Sequence, residues 1–193
     1  MIYKSKKKQG LIEMIKAVKN TRNKLALFLL DDKNYSDKLY NIIIQAKKQN
    51  KKICYICFTK PYADVIDNFN RERINSKDFI FVDVLSSLNY PLKPIKNCIF
   101  VPGPQNLGGI KKAIKKAVTK SECTAAIFDT ISTLLIYQQP DSIIKFTHEL
   151  LTEKFQKEIS KVYVVLREKG VYRDENKKLI NDLNLFADKI FEM

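Results

Sequence analysis

Residues 125–151 read AAIFDTISTLLIYQQPDSIIKFTHELL. Thr124 to Phe128 is short and apolar without polar alternation, the pattern of a strand buried on both faces. It delivers one acidic residue, Asp129, at its end. A hydroxyl-rich segment follows, with Thr130, Ser132 and Thr133. Pro140 suits the first turn of a helix, and the helix after it places Ile143, Ile144, Phe146, Leu150, Leu151 and Phe155 on one wide apolar face. Such a face belongs to a helix lying on a sheet. This order of strand, carboxylate and amphipathic helix is how many nucleotide-driven enzymes position a metal-binding carboxylate.

The same alternation extends along the chain in both directions. Strand patterns fall at Lys24–Leu30, Ile53–Phe58, Phe79–Val82, Cys98–Val101, Val162–Leu166 and Asp188–Phe191. Helix patterns fall between them: residues 9–22, Ser36 (as a cap) to Gln49, Pro61 to Arg71, Asn106 (as a cap) to Lys120, and Lys177 to Phe186. Asn89–Lys96, with two prolines, reads as a loop. Apolar strands separated by helices predict a three-layer α/β domain with a mostly parallel central sheet flanked by helices. No repeat, linker or low-complexity tract divides it, so residues 1–193 read as a single domain. Residues 1–23 form a basic N-terminal helical segment and residues 24–193 the core.

Composition narrows the class. An apolar fraction of 45% with 10% aromatic residues specifies a folded globule. No apolar run approaches the roughly 18 residues needed to cross a bilayer. The N-terminus MIYKSKKKQG lacks an apolar core and a cleavage site, so a cytoplasmic protein without a membrane partner is expected. The formal net charge is +14, with lysine supplying most of it. Lys111, Lys112, Lys115 and Lys116 form one basic helix face, and Lys47, Lys48, Lys51 and Lys52 another cluster. They read as solvated helix faces. The competing reading is a surface that meets an anion or nucleic acid. Cys54 and Cys57 are three apart in a strand-like run and so point to opposite faces. With no second Cys pair or His cluster to complete a metal site, all four cysteines read as buried structural residues. His148, the single histidine, reads as a surface or interface residue.

Ligands of open parallel sheets bind at the carboxyl ends of the strands. This rule selects Asp31–Ser36, Thr59–Pro61, Asp83–Ser87 and Asp129–Thr133. At this point a family resemblance emerges. IFDTISTLLIYQQPDSIIKFTHELL resembles the Walker-B strand and following helix of RecA/KaiC-like ATPases, and more narrowly of archaeal KaiC-like proteins. ICYICFTKPYADVIDNF, FIFVDVLS, PGPQNLGGIKKAIKKA and FADKIFEM resemble other segments of that family in the same order. The resemblance covers roughly residues 24–193. It implies a RecA-type core, a Walker-B-like pair at Asp129 and Thr130, and an ATP position at the turn after the first strand.

An active enzyme needs a glycine-rich loop there, whose amides face the phosphates while a lysine neutralises them. This chain has LLDDKNYSDKLY, without glycine and with three aspartates. Where the family implies an acidic residue that activates water, the chain has Thr59-Lys60-Pro61. A second segment, Gly103-Pro-Gln-Asn-Leu-Gly-Gly-Ile-Lys111, approaches the phosphate-loop pattern but has glycine where the lysine belongs. It reads as a tight turn and a capped helix. Asp129 and Thr130 are therefore expected to be vestigial, with no catalytic residue and no metal. No cofactor is expected, ATP and Mg being the competing reading. The expected role is a degenerate, non-hydrolysing protein that acts as a regulatory or scaffolding module by binding a protein partner or itself. An ATP-binding protein with an atypical phosphate site and a nucleic-acid-binding module are the two alternatives.

Overall fold

Seven apolar runs become strands: β1 (Leu25–Leu30), β2 (Ile53–Cys57), β3 (Phe79–Asp83), β4 (Cys98–Phe100), β5 (Ala125–Asp129), β6 (Ser160–Leu166) and β7 (Lys189–Glu192). The structure, a computed structural model, describes residues 24–86, 93–153, 159–167 and 170–193. The helix expected over residues 9–22 lies outside them, as do residues 89–92 of the expected loop. The strands form one sheet in the order β4-β3-β2-β5-β6-β1-β7, and every pair is parallel. Every residue of β1, β2, β3 and β5 is buried, which is why these strands lack polar alternation.

Helices cover both faces. On one lie α1 (Tyr35–Gln49) and α2 (Tyr62–Arg71). They pack Leu39, Ile42, Ile43, Val65 and Phe69 onto Phe28, Tyr55, Phe81, Ile127 and Val164. On the other lie α3 (Leu107–Ser121), α4 (Pro140–Thr152) and α5 (Arg173–Phe186). They set Ile110, Ile114, Ile143, Phe146, Leu150, Leu179 and Leu183 against Leu27, Ile56, Phe128, Tyr163 and Val165. Each of these large apolar side chains contributes about 1.5–3 kcal/mol by leaving water. Cys54 belongs to the second layer and Cys57 to the first, as the period of two requires. All four cysteines are buried and free, and burial pushes Cys98 up to about 12 and Cys123 to about 11. Gln45 sits fully buried on α1 with neither amide atom paired; nothing in the structure accounts for it.

Helix starts follow local chemistry, with two departures from the sequence reading. The Asn106 carboxamide accepts the Gly109 amide at 2.9 Å, capping α3 as expected. A Cβ on Gly109 would stand 2.6 Å from that carboxamide, so glycine is what lets the cap close. Ser36 does not cap α1. Asn34 precedes the helix in the left-handed region at φ 58°, a conformation asparagine tolerates, and the helix starts at Tyr35 with no side-chain cap. α5 begins at Arg173, ahead of the expected Lys177. Asp174 and Glu175 in its first turn suit the positive end of a helix, and the Asn176 carboxamide donates to the Leu166 carbonyl at 3.0 Å.

One buried charge stands out at the amino end of β6. Lys161 is fully buried and donates from Nζ to the Ile159 carbonyl at 2.9 Å. Burial, reinforced by the nearby Lys24 charge, pulls it down to about 8. Between pH 8 and roughly 10.4 the unfolded chain keeps a proton that the fold releases, so this group makes stability rise with pH across that window. Lys161→Met is expected to stabilise the protein by about 1–3 kcal/mol at pH 7. The gain should vanish by about pH 10. Urea unfolding of both proteins at the two pH values measures this, and an equal difference at both would refute it.

Candidate functional site

The chain leaves β2 toward the α1–α2 face and leaves β5 toward the α4 face. β2 and β5 are neighbours in the sheet. Their carboxyl ends therefore flank a topological switch point, the place where parallel sheets bind ligands. Cys57 pairs with Asp129 across it and with Asp83 on its other side. Three chain segments selected from the sequence thus meet here: the ends of β2, β3 and β5.

Asp129 is 4% exposed and points to the α1–α2 side. Its Oδ1 accepts the Tyr35 hydroxyl from the first turn of α1. Its Oδ2 accepts the Tyr55 hydroxyl from β2. Burial pushes the carboxyl up, while the two hydroxyls and the Lys60 charge partly hold it down; the net direction is upward. Burial first, and then the Asp129 charge, push both phenols well above their ordinary range. The result is a carboxyl group with both oxygens engaged by neutral donors. The Asp129–Thr130 peptide is cis. Thr130 donates its amide to Thr59 Oγ1 at 3.1 Å and shares a hydroxyl contact with Thr133 at 2.9 Å. Ser132 joins the chain at 3.2 Å to Thr130 and accepts the Leu166 amide at 3.0 Å. The hydroxyl-rich run after β5 thus ties the ends of β2, β5 and β6 together.

Asp83 has a different task. It is fully buried and accepts the Tyr62 amide at 2.8 Å, the Leu85 amide at 2.8 Å, the Ser86 amide at 3.0 Å and the Ser86 hydroxyl. A carboxyl from β3 therefore caps α2, whose own N-terminal neighbour, Pro61, offers no capping side chain.

These residues do not fit a magnesium-bound triphosphate. The turn after β1 is short, Asp31 to Asn34, and α1 follows at once with Tyr35 reaching Asp129. Asp31 pairs with Arg167, and Lys38 donates to the Met193 carbonyl at 2.9 Å, so neither cation faces an empty cradle. Thr59 occupies the end of β2 as read from the sequence, and Asp64 is exposed in the first turn of α2. In the glycine-containing 103–109 segment, Gly103 adopts φ +82° and the Gln105 carbonyl accepts both the Leu107 amide and the Gln138 side chain. With Asn106 on the Gly109 amide, the start of α3 already has its acceptors.

Among the lysines singled out from sequence, Lys111 is paired with Glu149 at 2.9 Å and Glu153 at 3.4 Å, and Lys47 with Asp78 at 3.2 Å. Lys48, Lys112, Lys115 and Lys116 are exposed. His148 is exposed, its ring 5.0 Å from that of Phe186 in the groove between α4 and α5. Tyr35 and Tyr55 are the site residues that sequence reasoning missed. Tyr55 reads as core, and it is core; its hydroxyl is the hidden part.

No protein-family model matches the chain, and no curated protein matches it. Solved structures do. A KaiC-like protein from the hyperthermophilic archaeon Pyrococcus horikoshii OT3 superposes with a TM-score of 0.61 over 89% of this chain and 72% of its own, at 10% identity. A poly(ADP-ribose) glycohydrolase from Deinococcus radiodurans, in complex with ADP-ribose, gives a TM-score of 0.46 at 11% identity over 94% of this chain and 93% of its own. The parallel seven-stranded sheet with helices on both faces is a three-layer KaiC/RecA-like fold.

Proposed function

We propose that this chain is a degenerate, non-hydrolysing domain of the KaiC/RecA-like ATPase fold that works as a regulatory or scaffolding module through a protein partner or a second copy of itself. The observation that bears most weight is the Tyr35 hydroxyl on Asp129. A helix that begins directly after a glycine-free turn puts a phenol onto the carboxyl that would hold the metal. Threonine rather than an acidic residue at the end of β2 agrees with this reading. Exposed apolar side chains on loops and helix ends of the α3–α5 side, Ile136, Tyr137, Val171, Tyr172 and Leu185, favour a protein-binding role. A phosphate-release assay with millimolar Mg-ATP is the direct test. No turnover above buffer is expected, and turnover abolished by Asp129→Asn would sink the proposal.

A further inference from the structure

In an all-parallel sheet every strand starts at one end and every connecting helix finishes there. Here the two ends differ in charge. The carboxyl end mixes signs: Asp31, Asp32, Asp37 and Asp129, with Asp174 and Glu175 opening α5, stand beside Lys33, Lys38, Lys60, Arg167, Arg173 and Lys177. The amino end gathers lysines on three adjoining turns. The first joins α1 to β2, with Lys48, Lys51 and Lys52. The second joins α3 to β5, with Lys116 and Lys120 near the end of α3 and one exposed acid, Glu122, after them. The third leads from α2 to β3, with Arg71, Arg73 and Lys77 exposed beside the acid Glu72. Hydrogen bonds weld these turns together. Thr124 donates its amide to the Lys52 carbonyl at 2.9 Å and its hydroxyl to Asn50 at 3.2 Å. Lys47 bridges to Asp78 at 3.2 Å. β3, β2 and β5 are consecutive in the sheet, so the three turns span about 10 Å of backbone.

The six lysines form no ion pair among the described residues, and all but Lys52 are exposed. Part of this pattern is ordinary helix chemistry, since cations suit a helix C-terminus. That accounts for the last turns of α1 and α3. It does not account for Lys51, Lys52 and Lys77, which lie outside those helices. α3, which carries Lys116 and Lys120, holds no acidic residue of its own.

We infer that this amino-end rim is an anion-binding surface for the phosphate backbone of a nucleic-acid duplex, opposite the end where RecA-type folds are expected to take ligand. The chemistry of the rim selects that partner. No large exposed apolar side chain lies on the three turns, so nothing inserts into a membrane or anchors a protein hot spot. Lysine is depleted from protein–protein interfaces. Arg71 and Arg73, exposed on the connection to β3, add two guanidinium forks that suit phosphate oxygens, and the turns present no exposed aromatic ring to stack on single strands. What remains is sequence-independent contact with closely spaced phosphates.

The test uses the full chain and a fluorescent mixed-sequence DNA duplex of about two helical turns, titrated between about 50 and 200 mM KCl. Expected is a slope of log affinity against log salt of about −3.5 to −5.5, from about four to six neutralised phosphates. Lys51→Glu/Lys52→Glu/Lys120→Glu should weaken binding by about tenfold or more and flatten the slope. Lys33→Glu/Arg173→Glu/Lys177→Glu, the same charge change at the carboxyl end, should leave most of the affinity. Melting temperatures report whether both variants stay folded. A flat salt slope, or equal losses in the two variants, would overturn the inference. So would lysine-dependent binding to phosphatidylserine vesicles without binding to the duplex. None of these outcomes bears on ATP turnover, so the proposed loss of hydrolysis stands or falls separately.

Discussion

Asp83→Ala is expected to cost about 4 kcal/mol or more and to lower the melting temperature by about 10 °C. The carboxyl is fully buried and serves the Tyr62, Leu85 and Ser86 amides together with the Ser86 hydroxyl. Alanine leaves three amides without their acceptor, and each buried donor stranded in this way costs about 1–3 kcal/mol. The loss concentrates at the start of α2, which has no cap of its own. Asp83→Asn keeps one acceptor oxygen and should cost about half as much. Urea unfolding of the two variants provides the check. A cost below about 1 kcal/mol for alanine would mean that water replaces the carboxyl and that the cap is incidental.

Tyr55→Phe should cost about 2–3 kcal/mol at pH 7, because it removes a donor from a buried carboxyl. Its signature is the pH dependence. Asp129 lies above its ordinary range in the fold, first because of burial. A raised carboxyl contributes stability that is full below the unfolded value near 3.9 and is lost as pH rises through the folded value. Removing the Tyr55 hydroxyl pushes Asp129 higher still. The penalty should therefore be largest at neutral pH and shrink toward about 1 kcal/mol as the pH falls and the carboxyl takes up its proton in both proteins. Tyr35→Phe should move the same way by a smaller amount, since Tyr35 is only half-buried. A penalty that does not change with pH would show that Tyr55 acts through packing alone.

The layers of this fold were legible because strand and helix periods differ and because buried parallel strands show no alternation. Asp129 at a strand end, the glycine-free turn after β1 and the opposed faces of Cys54 and Cys57 all followed from spacing. The contacts of the site did not. Tyr55 and Asp129 meet because β2 and β5 are neighbours in space, 74 residues apart in sequence. Tyr35 lies 94 residues from the carboxyl it serves. Likewise, the strand-end position of Asp83 was readable, but its service to an amide 21 residues earlier was not. Periodicity assigns a residue to a face. It does not order the strands, and strand order creates each of these pairs. The lysines show the same limit. Reading them helix by helix gave two separate faces, whereas the sheet places Lys48, Lys51, Lys52 and Lys120 on two hydrogen-bonded turns.

In the proposed function Asp129 is a structural acceptor closed by two tyrosines rather than a metal-bearing carboxylate. Differential scanning calorimetry with and without saturating Mg-ATP tests it most directly. A nucleotide at 100 times its dissociation constant would add about 2.7 kcal/mol, a rise of several degrees. The closed site predicts an unchanged melting temperature, within about one degree. A rise of several degrees that disappears in Asp129→Asn would contradict it.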